Sequence, residues 1–371
     1  MGSGKILSRL PVISVLLAAI FMAGCANPAK ESKVSTAPPQ PTKKTPKAVE
    51  PAKPTAETAA TKAIEPVKAA KETAPGKIVE KAGEPVVLML KFKQGQTATY
   101  KSIMETERGA DFAGDIAKDE QFKSGKSGSR AEMTFSQQIE NVDENGNATA
   151  RITIKTLKYT ATTKNVLAVG FDSTNQPQAN ILGRLIGQSY TIIINPSGVV
   201  IRTDGLDEIK KLVVGFAAEN MAGEQLISEN VVQKRHQIQV IADANGKKLA
   251  AGDKWSSSRT VTFGMMGANA FEKVYTLKAI EQKSGKKEAI IEINGMPATV
   301  QKNETSPLTK LFDSNNSFSG SLVLDLSSGQ VERYNEKLQA EWTVADPQAT
   351  GSEPSTIKLS TMELYSLEKV D

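Results

Sequence analysis

From residue 87 onward the chain repeatedly places an apolar side chain at every second position. Tyr190, Ile192 and Ile194 alternate with polar or less buried neighbours, and so do Met133, Phe135 and Ile139. The same alternation recurs at Ala289, Ile291 and Ile293, at Leu322, Leu324 and Leu326, and at Leu338, Ala340 and Trp342. Side chains on a strand point to opposite faces in turn, so this pattern predicts antiparallel strands with one face packed and one wet. Turn signals separate the runs: Asn145-Gly146, Pro196-Ser197-Gly198, Asn245-Gly246, Ser284-Gly285 and Ser328-Gly329. Only one interval has a helical period instead. Leu206, Ile209, Leu212, Val213 and Phe216 share a helix face, with Asp204 as the expected cap and Asp207 and Glu208 in the first turn. A second helix is expected from Ala222 to about Lys234, and Gln237 to Ala242 reads as either helix or strand.

The strands also recur in order. Lys93-Gln94-Gly95-Gln96 leads to a strand through Tyr100, then come Phe135 to Asp143, Ala148 to Ile154, Tyr190 to Asn195 and Val199 to Arg202. In the second half Gly252-Asp253-Lys254 leads to a strand from Trp255. Tyr275 to Glu281, Ala289 to Ile293, Ser321 to Leu326 and Val331 to Tyr334 follow. This reads as a diverged duplication, with copies at about 87–204 and 246–371 and a helical connector at about 205–236. Ser102 to Arg130 and Thr163 to Gln188 are the expected insertions in the first copy. The fold class expected is mainly β, a β-rich α+β domain over 87–371, with curved antiparallel sheets and one or two helices between the copies.

Composition divides the rest of the chain. Residues 26 to 85 hold ten of the 17 prolines, and no aromatic residue lies between Phe21 and Phe92. Such a segment buries too little apolar surface to offset its ordering entropy, so 25–86 is expected to be a disordered tether. Treated as a flexible coil, about 60 residues reach on the order of 45 Å. The whole chain carries +5. The leader's Lys5 and Arg9 account for two of those charges, and eleven Lys against seven Glu over 26–86 for four, which leaves −1 for 87–371. A nearly neutral folded region has no electrostatic footprint for nucleic acid.

Residues 1–24 combine the basic n-region with a run of about fifteen mostly apolar residues, Leu10 to Gly24, short of the roughly 20 that span a bilayer as a helix. Phe21-Met22-Ala23-Gly24-Cys25 resembles the bacterial lipobox, with Met22 where leucine is commonest. The resemblance implies cleavage between Gly24 and Cys25, a diacylglyceryl group on the Cys25 thiol and an acylated amino group. At least two chains are needed because one acyl chain binds a membrane only marginally. Ala26 stands where enteric bacteria place an inner-membrane retention Asp, which favours the outer membrane. Cys25 is the sole cysteine, so internal disulfides, cysteine-ligated metal centres and cysteine nucleophiles are excluded.

Candidate chemistry is sparse. The sole histidine, His236, sits in Gln233-Lys234-Arg235-His236-Gln237 and reads as a solvated surface residue. Asp143-Glu144-Asn145-Gly146-Asn147 lacks a full calcium loop and reads as a hairpin turn, and Gly183-Arg184-Leu185-Ile186-Gly187 as a bend. No catalytic, cofactor or metal residues are assigned. Phe263, Met265, Met266 and Phe271 form the most apolar pliable stretch, and two readings stand: a lining for an acyl chain or hydrophobic partner, or a turn packed into the core.

The lipobox, the proline-rich spacer, Lys93-Gln94-Gly95-Gln96, Gly252-Asp253-Lys254-Trp255 and Asp143-Glu144-Asn145-Gly146-Asn147-Ala148 together resemble an uncharacterised family of exported bacterial lipoproteins with a domain of unknown function. The resemblance implies no activity. The expectation is a lipid-anchored envelope protein whose β domain binds a protein partner or a hydrophobic ligand without catalysis. A lipid or lipoprotein carrier with an apolar half-barrel cavity is the alternative, and a carboxylate-based envelope hydrolase the third class.

Overall fold

The alternating positions become the inward face of one large sheet. The structure is a computed structural model that describes residues 84–120, 122–175, 180–262, 268–283, 285–297, 313–345 and 355–370. In the first half lie β1 (Val86–Val87), β2 (Thr97–Ala113), β3 (Gly125–Val142), β4 (Ala148–Thr163), β5 (Val166–Asp172), β6 (Ser189–Ile194) and β7 (Val200–Asp204). Four short helices follow: α1 (Leu206–Lys211), α2 (Ala218–Leu226), α3 (Glu229–His236) and α4 (Gln239–Ala244). The second half contains β8 (Lys248–Leu249), β9 (Lys254–Thr262), β10 (Ala268–Lys283), β11 (Lys286–Pro297), β12 (Asp313–Asp325), β13 (Gln330–Ala345) and β14 (Thr356–Lys369). Two short strands, β1 and β8, make a separate antiparallel pair.

The other twelve strands form one antiparallel sheet in the order β7-β6-β4-β3-β2-β14-β13-β12-β11-β10-β9, with β5 also paired to β4. The mainly β antiparallel class holds, with one large open sheet beside the small β1–β8 pair. Two five-strand meanders lie in the sheet, β2-β3-β4-β6-β7 within the expected first copy 87–204 and β9-β10-β11-β12-β13 within the expected second, 246–371, which also contains β14. Strand β14 lies between them, paired with β13 on one side and β2 on the other. Most of the first expected insertion is not a loop: Ser102 to Ala113 continues β2 and Gly125 to Arg130 opens β3. The second expected insertion contains β5 and a 3-10 turn at Ile181–Leu185.

Four helices stand where one or two were expected. The backbone leaves helical geometry after Leu226 and again after His236, where Gln237 has φ −82° and ψ 134°. Leucine, isoleucine and valine positions continue through these breaks, which is why the apolar spacing reads as longer helices. Asp204 does not cap α1. Gly205 occupies the N-cap with φ 84°, and Asp204 ends β7, ion-paired with Arg202 at 2.8 Å.

The helices pack on the inner face. Leu226, Ile227, Val232, Val240 and Ile241 are buried in one core with Phe135, Ile152, Tyr190, Tyr275 and Ile291 from both meanders. The sheet is not closed into a barrel among the described residues, yet its wings bend toward the helices. Leu90 donates its N–H to the Pro196 carbonyl (2.7 Å), and the next residue, Lys91, donates to Gly329 (3.2 Å). Those acceptors sit in the β6–β7 and β12–β13 turns, whose strands are six ladder steps apart. A flat sheet would separate them by roughly 29 Å, whereas consecutive Cα atoms are about 3.8 Å apart. The turns thus meet at one end of the domain, and the longer strands run past the helices at the other.

Candidate functional site

Where the strands pass the helical layer, a band of charged groups crosses the inner face, and beyond it Ala110, Phe112, Trp342 and Leu359 are buried again. Below this level His236 is 4% exposed, a correction of the solvated position its charged neighbours suggested. Its Nε2 lies 2.8 Å from the Tyr190 hydroxyl, and its ring meets Phe135 edge-on with centroids 4.9 Å apart. Helix α3 also turns Arg235 inward, to 1% exposure. Its guanidinium donates to the Leu226 carbonyl at 2.8 Å and to the Tyr190 hydroxyl at 3.4 Å. Burial and the Arg235 charge hold the imidazole well below the usual histidine range, so His236 is neutral. The Tyr365 hydroxyl, on the central strand β14, donates to the Arg235 carbonyl and joins α3 to the sheet.

One layer higher, polar groups interlock in pairs. Asp243 of α4 accepts from the Tyr275 hydroxyl (2.6 Å), the Ser257 hydroxyl (2.7 Å) and the Gln239 amide (2.7 Å). The indole N–H of Trp255 donates to the Val240 carbonyl at 3.2 Å. Lys273, 1% exposed, places its Nζ 3.0 Å from each oxygen of Glu336 and 4.1 Å from the Phe318 ring centroid. Burial lowers the Lys273 ammonium from its ordinary range and Glu336 opposes that shift. Lys234, on the outer side of α3, reaches Glu363 of β14 at 3.0 Å.

Glu363 marks the partly exposed stretch of this inner face, called the bowl below. Neighbouring protein desolvates its carboxylate, yet 40% of its side chain remains exposed. Burial pushes it up, but Lys234, Arg259 and Arg108 together hold it below the usual glutamate range. Strand register explains how these residues meet. Arg108 pairs with Thr361 and Thr106 with Glu363, so Arg108 and Glu363 share the inner face of β2 and β14. Arg259 follows Trp255 and Ser257 on the inner face of β9, five ladder steps from β14, and approaches Glu363 only because the wings bend inward.

Each carboxylate of the layer is already an acceptor from named donors. Glu363 is held low, the reverse of what a general acid needs. Ser257 is bonded to Asp243 while the histidine is spent on Tyr190 one layer down, so no serine-histidine relay forms. Among the described residues no group of three or more His, Cys, Asp or Glu could hold a metal ion. The Asp143 carboxylate accepts from the Asn145 N–H (2.8 Å) and the Asn147 N–H (2.9 Å), which makes it a turn residue. One cavity, between Leu90, Tyr100, Phe135 and Ile238, measures about 40 Å³, far below the roughly 300 Å³ of a small-ligand pocket, and a shallower cleft of about 260 Å³ lies outside the core between Val86, Val87, Lys91, Lys287, Leu326 and Ser327.

Sequence reasoning singled out other residues. Phe271 lies in the core of β10, 1% exposed, while Phe263, Met265, Met266, Gly24 and Cys25 are outside the described residues. Arg108, Arg259, Lys273, Glu336 and Glu363 were missed. Each is the inward member of an alternating strand, but a charge at such a position ordinarily marks a wet face.

No curated protein matches the chain. A solved structure titled "Lipid-protein interactions in lipovitellin" matches at 11% identity and a TM-score of 0.37. That match covers 76% of this chain and 26% of the other, so the chain corresponds to about a quarter of that protein's length. The model of a family described as "Family of unknown function (DUF6263)" matches residues 145–331, from the β3–β4 turn to the start of β13. That segment is just over half of the 371 residues and carries all four helices, and the chain belongs to this family of unknown function.

Proposed function

We propose that this protein is a non-enzymatic binding module of the bacterial cell envelope, which holds a protein partner in the bowl above the helices. One observation carries the reading: a band of charged groups crosses the inner sheet face, reaching solvent at Arg108 and at the 40% exposed Glu363, while the apolar core beneath it is filled. An apolar carrier needs the opposite distribution, an empty greasy cavity under a polar exterior. In this reading a lipid on Cys25 fixes the chain to a membrane, with the outer membrane favoured, and the spacer 26–86 lets the domain search the space above it.

Two experiments test the proposal. The compact unit Ala82–Asp371, produced without the leader, is used to capture partners from envelope extract. Specific capture by the wild type, lost on Glu363→Lys, supports the bowl as the binding face. Equal capture by both rejects it, and stoichiometric co-purified lipid would instead favour the carrier. For the anchor, Cys25→Ser is expected to abolish labelling by a palmitate analogue, and unchanged labelling would remove the lipidation.

A further inference from the structure

Between α1 and α2 the chain turns apolar side chains outward. Val214 and, one turn into α2, Met221 are at least half exposed, and Phe216 wholly so. Ala217 and Ala218 beside them are exposed as well. From Leu212 to Ala218 the sequence Leu-Val-Val-Gly-Phe-Ala-Ala holds no polar side chain. Single exposed apolar residues are ordinary on a protein surface, but a consecutive run of them marks a contact site. Ala218 and Met221 lie on one face of α2, which carries the patch from the loop onto the helix.

This loop is fastened rather than frayed. The Asn220 amide donates to the Val213 carbonyl at 2.9 Å and to the Val214 carbonyl at 3.0 Å, and the Arg184 guanidinium to the Leu212 carbonyl at 3.2 Å. Val213 is fully buried against Gly223 of α2, where an added Cβ would lie 2.8 Å from that of Val213. Gly215 takes φ 156°, and a Cβ there would lie 2.7 Å from the Asn220 amide, so glycine lets the backbone pass the clamp. The backbone is thus held while Val214 and Phe216 stay in solvent.

The neighbouring lysines carry no free charge to the patch: Lys210 is ion-paired with Asp207 (3.0 Å) and Lys211 with Glu208 (2.6 Å). A protruding aromatic without surplus charge suits a bilayer. A protein partner must bring a matching pocket, whereas fluid acyl chains close around a tip of any shape. The spacer argues for the same occupant. A flexible coil of about 60 residues reaches on the order of 45 Å, which keeps the domain beside its membrane, and at that effective concentration a few apolar side chains suffice. Resting on the lipid-anchor reading, we infer that the 214–221 patch inserts into the surface of the membrane to which Cys25 is attached, with Phe216 as the deepest side chain. The contact is apolar, so it needs no anionic headgroup and survives salt.

The full chain is reconstituted in phosphatidylcholine vesicles, with an environment-sensitive dye attached through Ala218→Cys or, as control, through Ser258→Cys on the outer face of β9. The dye at 218 should shift to the blue and be quenched by lipid carrying a doxyl group high on its acyl chain, at low and high salt alike, while the dye at 258 stays unchanged. Phe216→Asp should weaken insertion about ten-fold or more, the equivalent of one aromatic left unburied. Its melting temperature should match the wild type, because the replaced side chain is fully exposed. In the unsubstituted chain, a lipid with a diazirine on its acyl chain should label residues 214–221. Vesicles that float with the chain but give neither shift nor labelling overturn the insertion and leave the anchor standing; a chain that does not float removes both. A shift lost at high salt assigns the contact to charge, and one that requires added envelope protein assigns the patch to a protein partner. Self-association in detergent that Phe216→Asp abolishes assigns it to a second copy. Each of these three results, or equal responses at 218 and 258, overturns the inference.

Discussion

His236 sits where a charged run meets a core, and its protonation is linked to folding. It takes up a proton near pH 6.5 in the unfolded chain and well below that in the fold, because burial and Arg235 disfavour the imidazolium. A depressed pKa contributes stability that is present above 6.5 and lost as the pH falls below it, at up to about 1.4 kcal/mol per pH unit. Urea melts between pH 7 and 5 should show that slope in the wild type and a flatter one in His236→Gln. An identical slope would remove His236 as its source. Lys273 and Glu336 make a second residue-scale case. Lys273→Met strands a carboxylate near the Tyr334 hydroxyl and should cost about 3–5 kcal/mol, whereas Lys273→Met with Glu336→Gln should cost less than the single change. A double variant at least as unstable as the single one would contradict the pairing. Neither site was legible in the sequence, since a lysine flanked by Glu272 and Val274 does not reveal which strand will cover it. Phe216 shows the opposite error, a helix-spaced aromatic that stands 103% exposed beyond the end of α1.

Among the elements, turns were read from sequence more surely than helices. Gly146, Gly198, Gly246, Gly285 and Gly329 all take the positive φ that their turn signals imply. What no local signal reveals is which turn is pressed against a distant segment. A Cβ on Gly329 would lie 2.3 Å from the Lys91 backbone nitrogen, while one on Gly246 would meet nothing within 4 Å. Gly246→Ala should therefore cost only its left-handed conformation, about 1–2 kcal/mol. Gly329→Ala should cost several kcal/mol and release the 88–92 segment, read as faster amide exchange at Leu90 and Lys91. Equal losses at the two glycines would contradict the close approach. The helix boundaries were misjudged for a related reason: tertiary contacts with the sheet, not the apolar period, decide where α2, α3 and α4 end.

Across the whole molecule, the order of the two meanders was legible and the joint between them was not. Local alternation identifies hairpin partners, because they are neighbours in sequence. Strand β14 pairs with its sequence neighbour β13 and also with β2, where Tyr100 faces Lys369 from nearly the far end of the domain. Since β14 is hydrogen-bonded on both sides, proline at Met362 breaks a central ladder, and Met362→Pro should abolish or severely destabilise folding. Any residual structure should melt in one transition. Two separate transitions would mean that the meanders hold their folds independently.

That joint also has a kinetic meaning. Contacts between residues so distant close a very large loop before any pairing energy is recovered, which makes them late and slow to form. Until β14 docks on β2, these two strands are bare inner edges, able to pair with the wrong strand of another copy. The step that unites the sheet is thus also the step most exposed to misassembly, and refolding yield should fall with protein concentration more steeply than the stability of the finished domain would suggest.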